Sequence, residues 1–168
     1  MNSKTIKPSV IVREFDAPRT LVFDAWTQVE HLNKWMFPMP GCQCDFATAD
    51  IKNGGTSLHK ITMQTGHEMW LFTKYKEVKA PEKLVFLQYF SNEVGDILPM
   101  PHKPNWPKDM LATLYFESLS ESKTKITFHW EPLNPTAEEL AEFEASRADH
   151  QNGWGAGMDQ LAAYLATR

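Results

Sequence analysis

Histidine is the residue type in this chain best suited to proton transfer or metal binding, and the sequence contains six. None of them are spaced as H-x-H or H-x-x-x-H, spacings that bring two imidazoles to one metal ion. His59 alternates in step with Ile61 and Met63, which predicts that its side chain faces a sheet interior. Because the sequence offers no partner for it, we interpret His59 as a core or cavity-rim histidine rather than a general base.

Two cysteines, Cys42 and Cys44, are separated by one residue. On a strand this spacing puts both side chains on one face, where a mutual disulfide would be strained. The pair offers two thiolates to a metal ion, but no third cysteine exists to complete a zinc site. We therefore expect reduced thiols, no metal and no cofactor.

Sequence motifs of common enzymes are missing. The chain has no G-x-S-x-G nucleophile elbow, no G-x-x-x-x-G-K-[ST] phosphate loop and no G-x-G-x-x-G that opens a helix. The glycines of residues 153–157 come late in a helical pattern, which is the wrong context for nucleotide binding. These absences exclude the commonest hydrolases, kinases and dehydrogenases, and they favour a binding protein over an enzyme.

A proline-rich segment between residues 92 and 108 interrupts the strand pattern. Its prolines are Pro99, Pro101, Pro104 and Pro107. Since proline cannot donate to a strand ladder, the segment predicts a long loop, on which His102 and Trp106 are candidate ligand contacts. Two interpretations remain open, a lid over a cavity mouth and a rigid connector whose Trp106 plugs the core edge.

The aromatic content exceeds what a core of this size needs, with six Trp, ten Phe and four Tyr. We expect some of these side chains to line a cavity, with Met63, Trp70 and Phe72 on long central strands as the strongest candidates. Trp26 and Trp154 are interpreted as core packing. The full set of expected ligand contacts is Trp35, His59, Met63, Trp70, Phe72, Phe86, His102, Trp106, Phe128, Trp130 and Met158.

Hydrophobic periodicity predicts the elements that position these residues. A strand ends at Phe15, Asp16 and Pro18 suit a helix start, and two short helical faces then run to Met36. A breaker cluster over residues 38–41 separates these helices from sheet. Strands are predicted at 42–49, 55–64, 67–78, 83–92, 110–119 and 123–131, with a hairpin turn at Asn53-Gly54.

The last part of the chain predicts helix. Thr136 and Glu139 have capping-box spacing, and the helical period continues to about residue 166. Gly153, Gly155 and Gly157 interrupt it, which indicates a kink or a close approach of the helix to the sheet. Without a repeat, linker or low-complexity segment, residues 1–168 are interpreted as one domain.

Several pieces of this sequence, in this order, carry a family resemblance. They are residues 11–26 with Ala17-Pro18-Arg19, Leu32–Met36, Asn53-Gly54-Gly55, Met63, Lys74–Val85 and Gly153-Trp154-Gly155. The chain resembles the START-like (SRPBCC, birch-pollen-allergen-type) superfamily, and within it the proteins related to the activator of heat-shock protein 90 ATPase. The resemblance implies an α+β helix-grip fold, in which a curved antiparallel sheet of about seven strands wraps a long C-terminal helix. Two short helices follow the first strand in this plan, and a cavity lies where sheet and helix diverge.

Charge and hydropathy narrow the range of partners. There are 17 basic and 21 acidic residues in no long run, which is no footprint for nucleic acid or an anionic membrane. No apolar stretch approaches the roughly 20 residues of a membrane span, and residues 1–8 lack the hydrophobic core of a signal peptide. We therefore expect a cytoplasmic protein with neither a nucleic-acid nor a membrane partner.

Three functions stay open at this point. The superfamily resemblance and the aromatic surplus favour a module that binds a small apolar or aromatic ligand. The closer resemblance implies a chaperone co-regulator linked to stress response, although we expect the chain ends to leave no room for the additional N-terminal domain of the eukaryotic activators. Similarity to polyketide cyclases and aromatases implies catalysis with few catalytic side chains, which would leave no motif. A monomer and a homodimer are both compatible with the sequence.

Overall fold

The computed structural model describes residues 6–37 and 39–168. Residues 1–5 belong to the segment in which no signal peptide was recognised, and Pro38 is the first residue of the predicted breaker cluster. Both lie outside the described residues. Within the described parts of the chain, none of the helices combines the length and apolar character needed to cross a bilayer.

Seven strands form one antiparallel sheet. They are β1 Ser9–Phe15, β2 Gln43–Ala49, β3 Thr56–Thr62, β4 Glu68–Lys79, β5 Lys83–Ser91, β6 Met110–Ser120 and β7 Lys123–Pro132. The order across the sheet is β1-β7-β6-β5-β4-β3-β2, so β2 to β7 form a meander and β1 pairs with its last strand. The strands predicted from alternation are all present, with bounds that differ from the expected ones by at most two residues.

Two short helices follow β1, α1 Arg19–Thr27 and α2 Val29–Trp35. The N-cap of α1 is Pro18, which makes no side-chain capping hydrogen bond, so the expected cap at Asp16 is wrong. Proline suits this position because its ring presets a helical φ and its missing N–H would have had no intrahelical partner.

The C-terminal helical segment consists of α3 Ala137–Ala145 and α4 Arg147–Leu165. The capping box that begins α3 is confirmed, with Glu139 N–H donating to Thr136 Oγ1 at 3.1 Å and Thr136 N–H donating to Glu139 Oε1 at 2.9 Å. The break lies at Ser146, whose N–H donates to the carbonyls of both Glu142 and Phe143. It does not lie at the glycines.

Helix α4 is continuous through Gly153, Gly155 and Gly157. A Cβ at any of these positions would meet no atom within 4 Å outside the helix's own backbone. The expectation of a kink or a close helix–sheet approach at these glycines is therefore wrong. They leave open space beside the helix.

The connection between β2 and β3 also differs from the expected two-residue hairpin. Gly54 has a φ of +81°, but Asn53 is not in the left-handed region. The side-chain Oδ1 of Asn53 instead accepts a hydrogen bond from Val78 N–H at 2.6 Å, which ties the connection to β4.

The helices α1, α2 and α4 pack on one face of the sheet, which we call the concave face. Its buried side chains include Phe128 of β7, Leu114 of β6 and Phe86 of β5, and these belong to one cluster with Met158 and Leu161 of α4. Each such side chain contributes roughly 1.5–3 kcal/mol when removed from water. The predicted helix-grip architecture is confirmed.

Candidate functional site

A cavity of about 880 Å³ lies between α4 and the concave face. It is covered by residues 92–109, the segment between β5 and β6, which we call the covering loop. The walls come from the ends of α1 and α2, from β3, β4, β5 and β7, and from α4. The volume is within the range of small-molecule sites.

One stripe of α4 faces the cavity. It consists of His150, Gly153, Trp154, Gly157 and Met158, and Asp149 lines the cavity beside it. Their spacing, with steps of three, four, seven and eight residues from His150, is that of one helical face. This spacing was visible in the sequence and could have identified His150, Gly153 and Gly157, which our sequence analysis missed. The two glycines replace side chains that would otherwise fill this space.

On the strands, His59 and Ile61 of β3 and Leu71 of β4 line the cavity, and His59 lies opposite Leu71 in the register. Trp70 and Phe72 therefore point to the opposite, convex face, and neither lines the cavity. The expectation for these two side chains is wrong. Both faces of β4 carry large apolar residues, so alternation alone could not decide which face turns inward.

Met63 follows the end of β3 and is not part of the cavity wall either. It packs in a separate small cluster with Ile61 and Leu71, and its sulfur accepts a weak hydrogen bond from the Cys42 thiol, with the two sulfur atoms 3.7 Å apart. The strand ends before Met63, so its alternation with His59 does not extend that far.

Phe86 and Phe128 belong to the core and are not among the residues that line the cavity. The ring of Phe86 packs against Tyr75, with centroids 6.2 Å apart. Phe128 is fully buried, and its ring centroid lies 4.7 Å from that of Trp154. Both belong to the buried cluster on the concave face, and Phe128 packs against Trp154, which itself lines the cavity.

Five of the six tryptophans line the cavity, namely Trp26, Trp35, Trp106, Trp130 and Trp154. Four of them form a continuous aromatic wall, with centroid distances of 4.7 Å from Trp35 to Trp26, 6.4 Å from Trp26 to Trp154 and 5.4 Å from Trp154 to Trp130. Trp35, Trp130 and Met158 thus line the cavity, and a ligand contact at each of them stays a prediction. Trp26 and Trp154, which we interpreted as core, do pack in the core, Trp26 buried and Trp154 half-buried, and both also belong to the residues that line the cavity.

The covering loop is fastened to the helices below it. The Lys103 ammonium donates to Ser146 Oγ at 2.9 Å and lies 3.5 Å from Asp149 Oδ2. Farther along, Lys108 N–H donates to Glu139 Oε2 at 3.0 Å. Trp106 meets the ring of His150 edge-on, with centroids 5.0 Å apart.

Trp106 lines the cavity, whereas His102 does not. His102 is exposed and has a φ of 64°, a left-handed conformation that turns the loop. The expectation of a ligand contact at His102 is therefore wrong, because this turn places its side chain outside the cavity wall. The loop covers the cavity with Trp106 and with Ile97, Leu98 and Met100 instead.

Two histidines of the cavity wall are neutral at physiological pH. Burial lowers the pKa of His59 from 6.5 to about 4. It also lowers the pKa of His150 to about 4, with a smaller effect from the positive charges of Lys103 and Arg147. Neither ring is paired with a carboxylate in the hydrogen bonds of the described residues, as a general base of the His–Asp type would be.

The cysteines present no metal site in residues 6–37 and 39–168, where no group of three His, Cys, Asp or Glu side chains comes together. Cys42 and Cys44 are both buried and free. Burial, with a smaller contribution from the charge of Asp45, raises the pKa of the Cys44 thiol to about 12. Cys44 is therefore a protonated, weakly reactive thiol.

Comparison with known proteins adds a family match over most of the chain. The model of the family described as "Activator of Hsp90 ATPase homolog 1-like protein" matches residues 16–166. No curated protein matches the chain significantly.

Solved structures give the same fold. An NMR structure of a protein from Arthrobacter aurescens has a TM-score of 0.77 and 24% identity, covering 95% of this chain and 86% of that one. An NMR structure from Staphylococcus epidermidis has a TM-score of 0.75 and 23% identity, covering 98% and 93%. A crystal structure of a protein from Mycobacterium smegmatis has a TM-score of 0.73 and 19% identity, covering 96% of each chain. At identities of 19–24% these likenesses show a shared fold and nothing beyond it.

Proposed function

The chain belongs to the family of activator of Hsp90 ATPase homolog 1-like proteins, whose fold is of a ligand-binding type, and we propose that its cavity binds one small apolar or aromatic molecule. The observation that carries the proposal is the placement of five of the six tryptophans around one space of about 880 Å³. Protein interiors are otherwise close-packed, with few voids larger than a water molecule.

The chemistry of the wall supports an apolar occupant. Two thirds of the residues that line the cavity are neither polar nor charged, and among them the occupant would contact tryptophan rings, Ile61, Leu71 and Met158. Burial of apolar surface contributes about 25 cal/mol per Å². Tryptophan and methionine also adapt to flat ring systems, through stacking and through soft sulfur contacts.

Native mass spectrometry of the purified protein tests whether a small molecule remains bound. Titration with pyrene, an uncharged aromatic probe, tests the cavity directly. We expect binding of pyrene to quench tryptophan emission and to stabilise the fold by about 2.7 kcal/mol at a hundredfold excess over Kd. Absence of both a quench and a thermal shift with pyrene and with other hydrophobic compounds would reject the proposal.

The glycines of α4 provide a matched pair of variants. Gly157→Leu places a side chain in the cavity, and we expect it to weaken pyrene binding by at least about tenfold. Gly155→Leu adds the same side chain to the same helix at a position that does not line the cavity. Its affinity for pyrene should match that of the unmodified protein. Equal losses in both variants would mean that the probe binds elsewhere.

A second candidate is a regulatory contact with heat-shock protein 90, which the family's description suggests. The observation that favours it is exposed apolar surface on the covering loop, where Val94 is 73%, Ile97 49% and Leu98 45% exposed. The test is the ATPase rate of purified heat-shock protein 90 with and without this protein. Val94→Ser separates the two functions, because Val94 is outside the cavity wall. It should reduce stimulation of the ATPase and leave pyrene binding intact.

The remaining expectations rest on the sequence. A cytoplasmic location, one domain over residues 1–168 and partners other than nucleic acid or membrane stay predictions, and the choice between monomer and homodimer stays open. Catalysis of the cyclase type stays an alternative, and no contact among the described residues favours it over binding.

A further inference from the structure

The cavity extends past the edge of one strand of the sheet. Gln88, Tyr89 and Phe90 are consecutive residues of β5, and all three line it. Neighbouring side chains of a strand point to opposite faces, so a space that reaches three residues in a row passes around the strand. The cavity therefore does not end at the concave face.

Lys74 of β4 gives the same indication independently. It follows Phe72 by two residues on the convex face, and it is exposed to solvent. Lys74 lines the cavity, whereas its neighbours Thr73 and Tyr75, whose side chains are on the concave face, do not. An exposed residue of the convex face in the cavity wall indicates that the cavity reaches the convex surface at this place.

The strand pairing explains why the sheet is open here. The pairing of β5 with β6 ends at Gln88, opposite Met110. Two residues farther along β5, the Phe90 carbonyl accepts from Leu98 N–H at 2.8 Å, so the covering loop takes the place of β6. Tyr89 lies between these two pairings, where β6 and the covering loop separate.

The Tyr89 side chain closes the gap between the strands. Its hydroxyl donates to Asp109 Oδ1 at 2.6 Å, and Asp109 is the last residue before β6. Asp109 is fixed at its backbone, because its carbonyl accepts from Leu133 N–H at 2.8 Å. The Lys74 ammonium lies over the Tyr89 ring, 5.4 Å from the ring centroid. One side-chain hydrogen bond thus spans from β5 to the start of β6.

This hydrogen bond opens without a movement of the strands. Burial raises the pKa of the Tyr89 hydroxyl, and the hydrogen bond to Asp109 raises that pKa further, so the hydroxyl keeps its proton and remains the donor. Asp109 is only half-buried, so its carboxylate leaves the hydroxyl by rotating between side-chain rotamers. Its backbone stays bound to Leu133 during this rotation.

We propose that the cavity has a second opening, through the sheet between β5 and β6, and that the hydrogen bond between Tyr89 and Asp109 gates the exchange of its occupant with solvent. This opening is separate from the side of the cavity that the covering loop closes with Trp106. The inference rests on the proposed function and adds to it a route of entry and release.

Stopped-flow kinetics of pyrene binding, with tryptophan emission as the readout, test the gate. Tyr89→Phe removes the hydroxyl and keeps the ring beneath Lys74. We expect association and release both to become at least about threefold faster with Kd unchanged, because loss of one hydrogen bond lowers the same barrier in both directions. Unchanged rates, or a faster release accompanied by weaker binding, overturn the gate. Absence of pyrene binding to the unmodified protein rejects the proposed function, and the gate with it.

Tyr115→Phe is the matched control. Tyr115 lies on the same convex face and has the Lys83 ammonium 5.6 Å from its ring centroid, but it does not line the cavity. Loss of its hydroxyl should leave both rates unchanged.

Variants of Asp109 test the acceptor of the hydrogen bond. Asp109→Ala removes the acceptor and should reproduce the faster exchange, which keeps the gate testable if Tyr89→Phe does not fold. Asp109→Asn retains an acceptor oxygen and should exchange pyrene at nearly the original rates. Exchange as fast in Asp109→Asn as in Asp109→Ala would contradict the hydrogen bond as the element that closes the opening.

The double variant Tyr89→Phe/Trp106→Ala distinguishes two openings from one. Rates through parallel routes add, whereas two contacts that close one mouth contribute free energies to a single barrier and multiply the rate. The release rate of the double variant should therefore exceed that of the unmodified protein by the sum of the two single increases. A multiplicative increase would show that Tyr89 and Trp106 close the same mouth, and it would overturn the second opening.

Discussion

Gly153 and Gly157 lie one turn apart on α4 and both face the cavity, with no atom within 4 Å of the position that a Cβ would take. Glycine in a helix interior costs about 0.5–1 kcal/mol relative to alanine. We expect Gly153→Ala and Gly157→Ala each to raise the free energy of unfolding by about that amount, measured by urea denaturation.

Two other glycines serve as controls for that prediction. Gly54 and Gly66 also have open space around them, but their φ angles are +81° and +90°. Alanine there should lower stability, because the left-handed conformation strains a residue with a Cβ. A stability loss in Gly153→Ala or Gly157→Ala would mean that α4 packs more tightly on its cavity side than the structure describes.

Trp154 and Phe128 are in contact but differ in burial. Phe128 is fully buried, so Phe128→Ala should cost about 3–5 kcal/mol of unfolding free energy. Trp154 is half-buried and has one side toward the cavity, so Trp154→Ala should cost less, about 1–3 kcal/mol. Urea denaturation of both variants provides the comparison. A larger loss for Trp154→Ala than for Phe128→Ala would identify Trp154 as an ordinary core residue.

Trp106 fastens the covering loop to His150 through an edge-on ring contact. We expect Trp106→Ala to speed the release of bound pyrene by about tenfold in stopped-flow measurements, while the association rate changes less. The exposed neighbour His102 provides the control, since His102→Ala removes a side chain that does not line the cavity. Unchanged release in Trp106→Ala would show that the loop is a connector and not a lid.

The neutral state of His59 makes stability depend on pH. Burial lowers its pKa from 6.5 to about 4 in the folded state, so the unfolded chain binds one more proton between these values. The contribution of the neutral imidazole is therefore fully present above pH 6.5 and is lost as the pH falls toward 4. It amounts to about 3 kcal/mol at most.

Urea denaturation of the unmodified protein and of His59→Phe across that pH range tests this dependence. The carboxylates titrate in both proteins, so the difference between the two profiles reports His59 alone. We expect the variant to lose less stability than the unmodified protein between neutral pH and pH 4. Parallel profiles would show that His59 is protonated in the folded state or reached by solvent.

The elements of the fold were predictable because each has a local signal. Alternation marked the strands, and Thr136 with Glu139 marked the start of α3. The break at Ser146 was not predicted, because no proline or glycine marks it, and one of the hydrogen bonds made there comes from Lys103, which is remote in sequence. The glycines of α4 were misinterpreted, because a glycine in a sequence does not reveal whether open space or a neighbouring side chain lies beside it.

The candidate cavity wall was predicted in part. Trp35, His59, Trp106, Trp130 and Met158 were expected and are present in it. Leu71 was missed in favour of Trp70 and Phe72, because alternation shows only that neighbouring side chains point to opposite faces. Pairing of Leu71 with His59 in the register is what selects the inward set.

The sequence by itself determined the order of the elements and the surplus of aromatic side chains, since both depend on composition and short-range periodicity. The helix-grip architecture was implied by the family resemblance. Only the tertiary structure decided which face of β4 turns inward and that Trp26, His59 and His150 share one cavity. These properties depend on strand register and on helix–sheet packing between residues far apart in the chain. Their physical cause is long-range contact, which no local pattern records.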